Sequence, residues 1–270
     1  MRWIALWLAF STAIWPLAAA AIEVHGATGR VVRLEQPARR IVTLSPHATE
    51  LVLALGAGDR LVAVADFFDY PPQLQAVPRL STLGGLDRER LLLERPDLVI
   101  GWASGNRPGD LRWLTDSGIP LYLSEPQHLE EIAKDLERLG RLLGMAEHGL
   151  RAATRFRRRL DLACADRVQA PWQSVYYEIW PKPPMTIGGH HWLNEVLSRA
   201  HLKNTFSDLP RGVVTITPEA LLARPYELIL TSRRDARPPR PGVQVIRIDA
   251  TLGRPGPRLV EGLEALCRQL

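Results

Sequence analysis

The chain has only two cysteines, Cys164 and Cys267, in its 270 residues. Two are too few for a disulfide-built scaffold or a thiolate metal site, although in an oxidising compartment they can pair with each other. After the first 21 residues no stretch approaches the roughly 18 uncharged apolar residues that suggest a membrane span. Nucleophile and phosphate signatures are missing as well. Gly101-Trp102-Ala103-Ser104-Gly105 places its serine one position late for a nucleophile elbow. There is no Walker lysine motif and no dinucleotide glycine fingerprint, so no catalytic residue stands out and an enzyme is not expected. His190 and His191 are adjacent and point to opposite sides of an extended segment. No third or fourth ligand stands at a spacing that converges with them, so no metal site is expected. The formal charge is +5, but the basic residues are mostly arginines scattered among acids. The densest run, Arg155 to Arg159, falls on an apparent helix and reads as a solvated face, so nucleic acid is not an expected partner.

What is present starts with Arg2 and an uncharged apolar run over residues 4–20 that ends in small residues, Ala18 to Ala21. This is the pattern of a cleaved export signal over residues 1–21. Pro16 and the alanine-rich end weigh against the alternative, a membrane anchor, and no cysteine follows the run to carry a lipid. The remaining length, about 250 residues, suffices for two lobes with their own cores. Residues 22–25 and 30–34 read as a hairpin around a glycine-containing turn. A buried strand over 40–44 leads through the loop Ser45-Pro46-His47-Ala48 to an apolar helix, 49–55, stopped by Gly56 and Gly58. Residues 61–65 form another short apolar strand. Strands alternating with helices predict a mostly parallel sheet.

The middle of the chain changes character. Leu150, Ala153, Phe156, Leu160, Ala163 and Cys164 recur at spacings of three and four, which predicts a long helix over about 146–165 after another over 130–143. Pro171 opens a second run of strands and helices. The two halves repeat: Glu89-Arg90-Leu91-Leu92 followed by Asp97-Leu98-Val99-Ile100 is matched, 130 positions later, by Glu219-Ala220-Leu221-Leu222 and Glu227-Leu228-Ile229-Leu230. The fold class is therefore α/β: two lobes with mostly parallel sheets, residues 22–145 and 167–270, joined by one long helix at 146–166. In such sheets ligands bind beyond the carboxyl ends of the strands, here in the cleft between lobes. The loops at 45–47, 67–70, 102–106 and 180–191 are its candidate walls, rich in aromatics and poor in paired charge. Trp180 and Trp192 flank the last of these; Trp113 and Trp172 read as packing residues.

The ordered set Arg40-Ile41-Val42-Thr43-Leu44-Ser45-Pro46, Thr49-Glu50-Leu51, Asp69-Tyr70-Pro71-Pro72, Ser81-Thr82-Leu83-Gly84-Gly85 and Pro96-Asp97-Leu98-Val99-Ile100 resembles the helical-backbone class of periplasmic solute-binding proteins. The resemblance is nearest to the members that carry corrinoids such as vitamin B12, and it spans the chain from about residue 30 to the end. It implies a monomer in the periplasm with no cofactor, whose ligand is cobalamin-like and whose partner is the permease of an inner-membrane ABC importer. Haem or an iron–siderophore is the alternative ligand, and a signalling or scaffold protein that kept the fold but lost transport is the alternative of another class. The resemblance also implies site residues. Phe67, Trp102, Met185 and Arg254 match ligand-cleft positions, while Leu83 and Val213 stand where a corrinoid carrier has tryptophan. Trp180 joins them as a residue flanking the second-lobe loop. Glu89 and Glu219 match the acids that dock on the importer; the plain reading of each is a helix N-terminal acid. The class has a cysteine where this chain has Ala200, so a disulfide to Cys267 has to use Cys164. His47 reads either as a group approaching a ligand metal from one side or as a loop histidine that caps the next helix.

Overall fold

A computed structural model describes residues 21–66, 71–82 and 84–270. The N-terminal apolar run, Phe67 to Tyr70 and Leu83 lie outside the described residues, and with them the readings placed there.

The described chain opens on an antiparallel hairpin, β1 (Ile22–His25) and β2 (Val31–Leu34). Then come β3 (Ile41–Thr43), α1 (Pro46–Ala54), β4 (Leu61–Ala65), β5 (Arg79–Leu80), α2 (Arg88–Leu93), β6 (Leu98–Trp102), α3 (Pro108–Asp116), β7 (Leu121–Ser124) and α4 (Leu129–Leu142). Helix α5 (Ala146–Leu162) links to the second half: β8 (Gln173–Glu178), β9 (Trp180–Pro181), β10 (Pro184–Ile187), α6 (Leu193–Arg199), β11 (Leu202–Asn204), β12 (Val213–Thr215), α7 (Pro218–Ala223), β13 (Leu228–Thr231), β14 (Gln244–Arg247) and α8 (Leu259–Cys267).

Lobe one is a parallel sheet in the order β5-β4-β3-β6-β7. Its central strands are continuous apolar runs because both faces are covered. Val42, Leu80 and Val99 face α2 and α3, whereas Ile41, Val64 and Ile100 face α1 and α4. Lobe two is a parallel sheet in the order β11-β8-β13-β14, with a small antiparallel sheet β12-β10-β9 beside it. Tyr176 and Tyr177, adjacent on β8, point into opposite cores as a period of two requires. The repeat seen in the sequence is structural. α2 and α7 are both six residues long, and each feeds the strand (β6, β13) that pairs directly with the first strand of its parallel sheet (β3, β8).

One apolar core runs from Leu51 and Leu136 in lobe one through Phe156 and Leu160 of α5 to Tyr177 and Leu263 in lobe two. The lobes are thus not independent bodies on a flexible tether. Two sequence readings are corrected here. α5 ends at Leu162 rather than 166, and a separate 3₁₀ turn over Ala165–Arg167 follows. The arginine run on α5 is not simply a solvated face. Arg157 binds Glu130 and Glu137 on α4, and Arg159 binds Glu264 on α8 at 2.9 Å. Cys164 and Cys267 are joined in a disulfide with Cα atoms 5.7 Å apart, so the last helix is stapled to the end of α5.

Candidate ligand cleft

In lobe one the chain runs β3, β4, β5 toward one edge and then crosses back to β6. The crevice between the carboxyl ends of β3 and β6 is therefore the topological switch point, where open sheets bind ligands. Two side chains occupy it. His47 and Trp102 meet edge to face, their ring centroids 5.3 Å apart. Trp102 is the last residue of β6 and half-buried. Its indole lies so close over Gly105 that no Cβ has room there. Asn106 then grips both strand ends: its Oδ1 accepts from Trp102 N at 2.7 Å and its Nδ2 donates to Leu44 O at 2.9 Å. Trp102, Gly105 and Asn106 form one device that presents an aromatic at a set angle.

His47 is not on a loop. Ser45 is the N-cap of α1, its hydroxyl accepting from Ala48 N, and Pro46 takes the first helical position, so the helix begins three residues earlier than the sequence pattern indicated. A serine cap followed by proline is itself a start signal, and it was there to be read. As a result His47 is buried in the first turn. Its Nδ1 lies 3.2 Å from the Ser45 hydroxyl and its Nε2 has no hydrogen-bond partner. Burial lowers its pKa to about 3, so the ring is neutral.

Lobe two has its switch point between β8 and β13. Glu178, at the end of β8, accepts from the Thr231 hydroxyl at 2.8 Å and pairs with Arg233 at 3.4 Å. In the small sheet beside it Met185 pairs with Trp180 on one side and Thr215 on the other, and Val213 pairs with Ile187 two positions along. Trp180 is 58% exposed and Val213 45%, so this sheet offers open apolar surface. Asn194 and Asn204 secure the adjoining loop. Asn194 donates to the carbonyls of Gly188, Gly189 and His191, and Asn204 donates to Ile187 O and Asn194 Oδ1.

The lobes touch at the floor. The segment after β14 crosses to α1, where a Cβ on Gly256 would stand 2.7 Å from Glu50 Oε2 and 3.4 Å from His47 Cα. Glu50 is fully buried, with Arg254 at 3.4 Å and Arg258 at 3.9 Å. Desolvation raises its pKa, and the two arginines oppose that rise. Arg254, expected as a cleft residue, is thus engaged by a carboxylate of the other lobe. Behind this contact lies a cavity of about 250 Å³ lined by Glu50, Phe156, Arg155 and Arg258. It is smaller than the roughly 300–1,000 Å³ of pockets that enclose drug-sized ligands.

His47 and Trp102 stand together at the lobe-one switch point, Arg254 reaches Glu50 of α1, and Met185 and Trp180 pair on the small sheet of lobe two. Glu89 and Glu219 are exposed, each second in its short helix behind a capped start at Asp87 or Thr217. Trp172 is not a packing residue: it is 55% exposed and stacks on His201 at 4.8 Å. Glu178 and Arg233 were given no role from sequence, and Glu50 and Asn106 entered only as part of a motif and of a candidate loop. A lone carboxylate on the apolar face of α1 was the one available signal, since a buried acid needs a partner. Among the described residues no group of three or more side chains could hold a metal ion.

Two α/β lobes that share a core through one linking helix, each with a switch point at the carboxyl ends of its parallel strands, have the architecture of a two-lobed solute-binding protein. The chain belongs to the periplasmic binding protein family, whose model matches residues 41–246. It is 34% identical over 248 residues to the vitamin B12-binding protein of Vibrio cholerae serotype O1, covering 87% of this chain and 90% of that protein. It is 30% identical over 244 residues to the vitamin B12-binding protein of Yersinia pestis, covering 87% of each. Among solved structures, the periplasmic vitamin B12 binding protein of Vibrio cholerae superposes with a TM-score of 0.76 at 32% identity, over 86% of this chain and 96% of that one. A periplasmic heme binding protein from Pseudomonas aeruginosa gives 0.73 at 26% identity, over 86% and 92%.

Proposed function

We propose that this chain captures a corrinoid of the cobalamin type in the cleft between its lobes and delivers it to an ABC importer. What supports this reading is exposed aromatic and apolar surface near the switch points, where Arg254 and Arg233 each already meet a carboxylate. Trp102 stands at the lobe-one switch point and Trp180, Met185 and Val213 on the small sheet of lobe two, which on this reading are the facing walls, while Arg254 is paired with Glu50 and Arg233 with Glu178. Flat apolar walls suit the two faces of a broad macrocycle, and the polar atoms at the floor suit a neutral rim of amides. A ferric siderophore is anionic and calls for several converging cations without acidic partners. The relatives named for vitamin B12 support the same choice. Phe67 is proposed as a further wall residue, and residues 1–21 as the export signal.

Delivery is assigned to Glu89 and Glu219. Both are exposed, occupy the same place in repeated helices and make no ion pair among the described residues. The experiment is isothermal titration of the purified protein with cobalamin, haem and a ferric siderophore. Saturable heat with cobalamin alone is expected. Heat with haem and none with cobalamin would sink the corrinoid reading and make His47 Nε2 the first group to test as an axial ligand.

A further inference from the structure

We propose that the arginine-rich strap between β13 and β14 rests on anionic phospholipid headgroups when the protein docks. The inference depends on the docking reading, because that reading is what brings α7 to a membrane. β13 and β14 are parallel, so residues 232–243 must return the chain from one end of the sheet to the other. A helix usually makes that return. Here Pro238, Pro239 and Pro241 rule one out and keep the segment extended. The strap lies against the docking helix: Arg240 donates to Leu222 O and Arg224 O at 3.3 Å each, both at the carboxyl end of α7, and stacks over Tyr226 at 4.6 Å. α7 itself presents Glu219 and the 63% exposed Leu222.

Besides Arg240, the arginines of the strap and of the adjoining end of β14 divide into two sets. Arg233 is consumed by Glu178 and Asp235. Arg234, Arg237 and Arg247 are exposed and make no ion pair among the described residues, and Arg247 Nε is tied back to Arg234 O at 3.2 Å, so the three stand on adjoining backbone. Outward guanidiniums on a proline-stiffened segment lose little freedom on binding, and their planar forks match phosphodiester oxygens. A bilayer rich in anionic headgroups supplies such oxygens immediately beside any membrane-embedded importer.

The test is sedimentation of the purified full-length mature protein with vesicles, with no importer present. The protein should bind mixed phosphatidylglycerol–phosphatidylcholine vesicles and not pure phosphatidylcholine. The triple variant Arg234→Gln, Arg237→Gln, Arg247→Gln should lose affinity roughly tenfold or more, with ligand affinity unchanged. The variant Arg112→Gln, Arg155→Gln, Arg158→Gln removes the same charge elsewhere and should bind as wild type. Equal loss in both variants, or no binding by wild type, would overturn the proposal; the second result would point to acidic groups of the importer as the strap's partner. Because the vesicles carry no importer and no ligand, this failure is distinct from a failure of the docking or corrinoid readings.

Discussion

A single missing Cβ sets the angle of the cleft's main aromatic. Gly105 leaves the space over which the Trp102 indole lies, and Asn106 anchors both neighbouring strand ends. Trp102→Ala should weaken ligand binding by about 1–3 kcal/mol, the scale for burying a large side chain. Gly105→Ala keeps the indole but expels it from its seat, so titration should show a similar loss. Wild-type affinity in Gly105→Ala would refute the seating argument. His47 makes a different prediction. Its pKa falls to about 3 in the fold, and that of His191 to about 4, both by burial, against about 6.5 in an unfolded chain. Below about pH 6.5 the unfolded chain takes up protons that the fold refuses. Stability from each ring is therefore complete above that pH and is lost as pH falls, at about 1.4 kcal/mol per unit. Glu50 and Asp135, whose carboxyls are raised by burial, act in the opposite sense. The clean measurement is thus a comparison of wild type with His47→Gln. Thermal unfolding of the variant should be less acid-sensitive between pH 6 and 4; parallel curves would contradict a neutral buried ring.

At the scale of elements, the repeated unit carries the docking assignment. α2 and α7 begin with a side-chain cap, place a glutamate second and end within two turns, so each glutamate is held near the surface by a short, rigid scaffold. Replacing both Glu89 and Glu219 with Ala should abolish uptake in cells while leaving calorimetric ligand affinity within about twofold, because charges at a docking surface govern partner choice more than ligand binding. Undiminished uptake would remove the assignment. Elements of this kind were legible in the sequence: β4 lies where the apolar run put it, and α4 is displaced by one residue from its reading. The start of α1 was not read correctly. The apolar period of that helix begins at Thr49, while its first turn, Pro46 to Ala48, is defined by a cap and a proline rather than by amphipathicity. The last turn of the linking helix was overextended for the converse reason. Ala163 and Cys164 continue the apolar spacing, yet Cys164 turns toward Cys267 instead of extending the helix.

The whole molecule is held in one arrangement by a continuous core, by Glu50 with its two arginines, and by the staple between Cys164 and Cys267. The disulfide closes a separation of 103 residues that encloses nearly all of lobe two. Its loss restores the freedom of a long loop to the unfolded chain and should cost about 2–4 kcal/mol. Cys164→Ser with Cys267→Ser should therefore unfold at a temperature lower by roughly 4–15 °C, with binding intact below the transition. An unchanged midpoint would show that the core alone holds α8 in place. Since that core passes through α5, ligand capture is expected to involve little closure, as suits a bulky guest.

The sequence by itself determined what local chemistry decides: the alternation of apolar strands and helices, the linking helix, the repeat bearing Glu89 and Glu219, and aromatic loops after strands. Those features rest on side-chain period, on caps and on proline and glycine, all read within a few residues of one another. Tertiary structure alone decided which partner each charge meets. Arg254 and Glu50 are separated by 204 positions, and Arg159 and Glu264 by 105, so no spacing rule reports either pair. The same holds for His47, whose neutral state follows from the packing of Trp102 and Gly256 against it. Burial and charge neutralisation are properties of neighbours in space, and those neighbours exist only once both lobes have closed around one core.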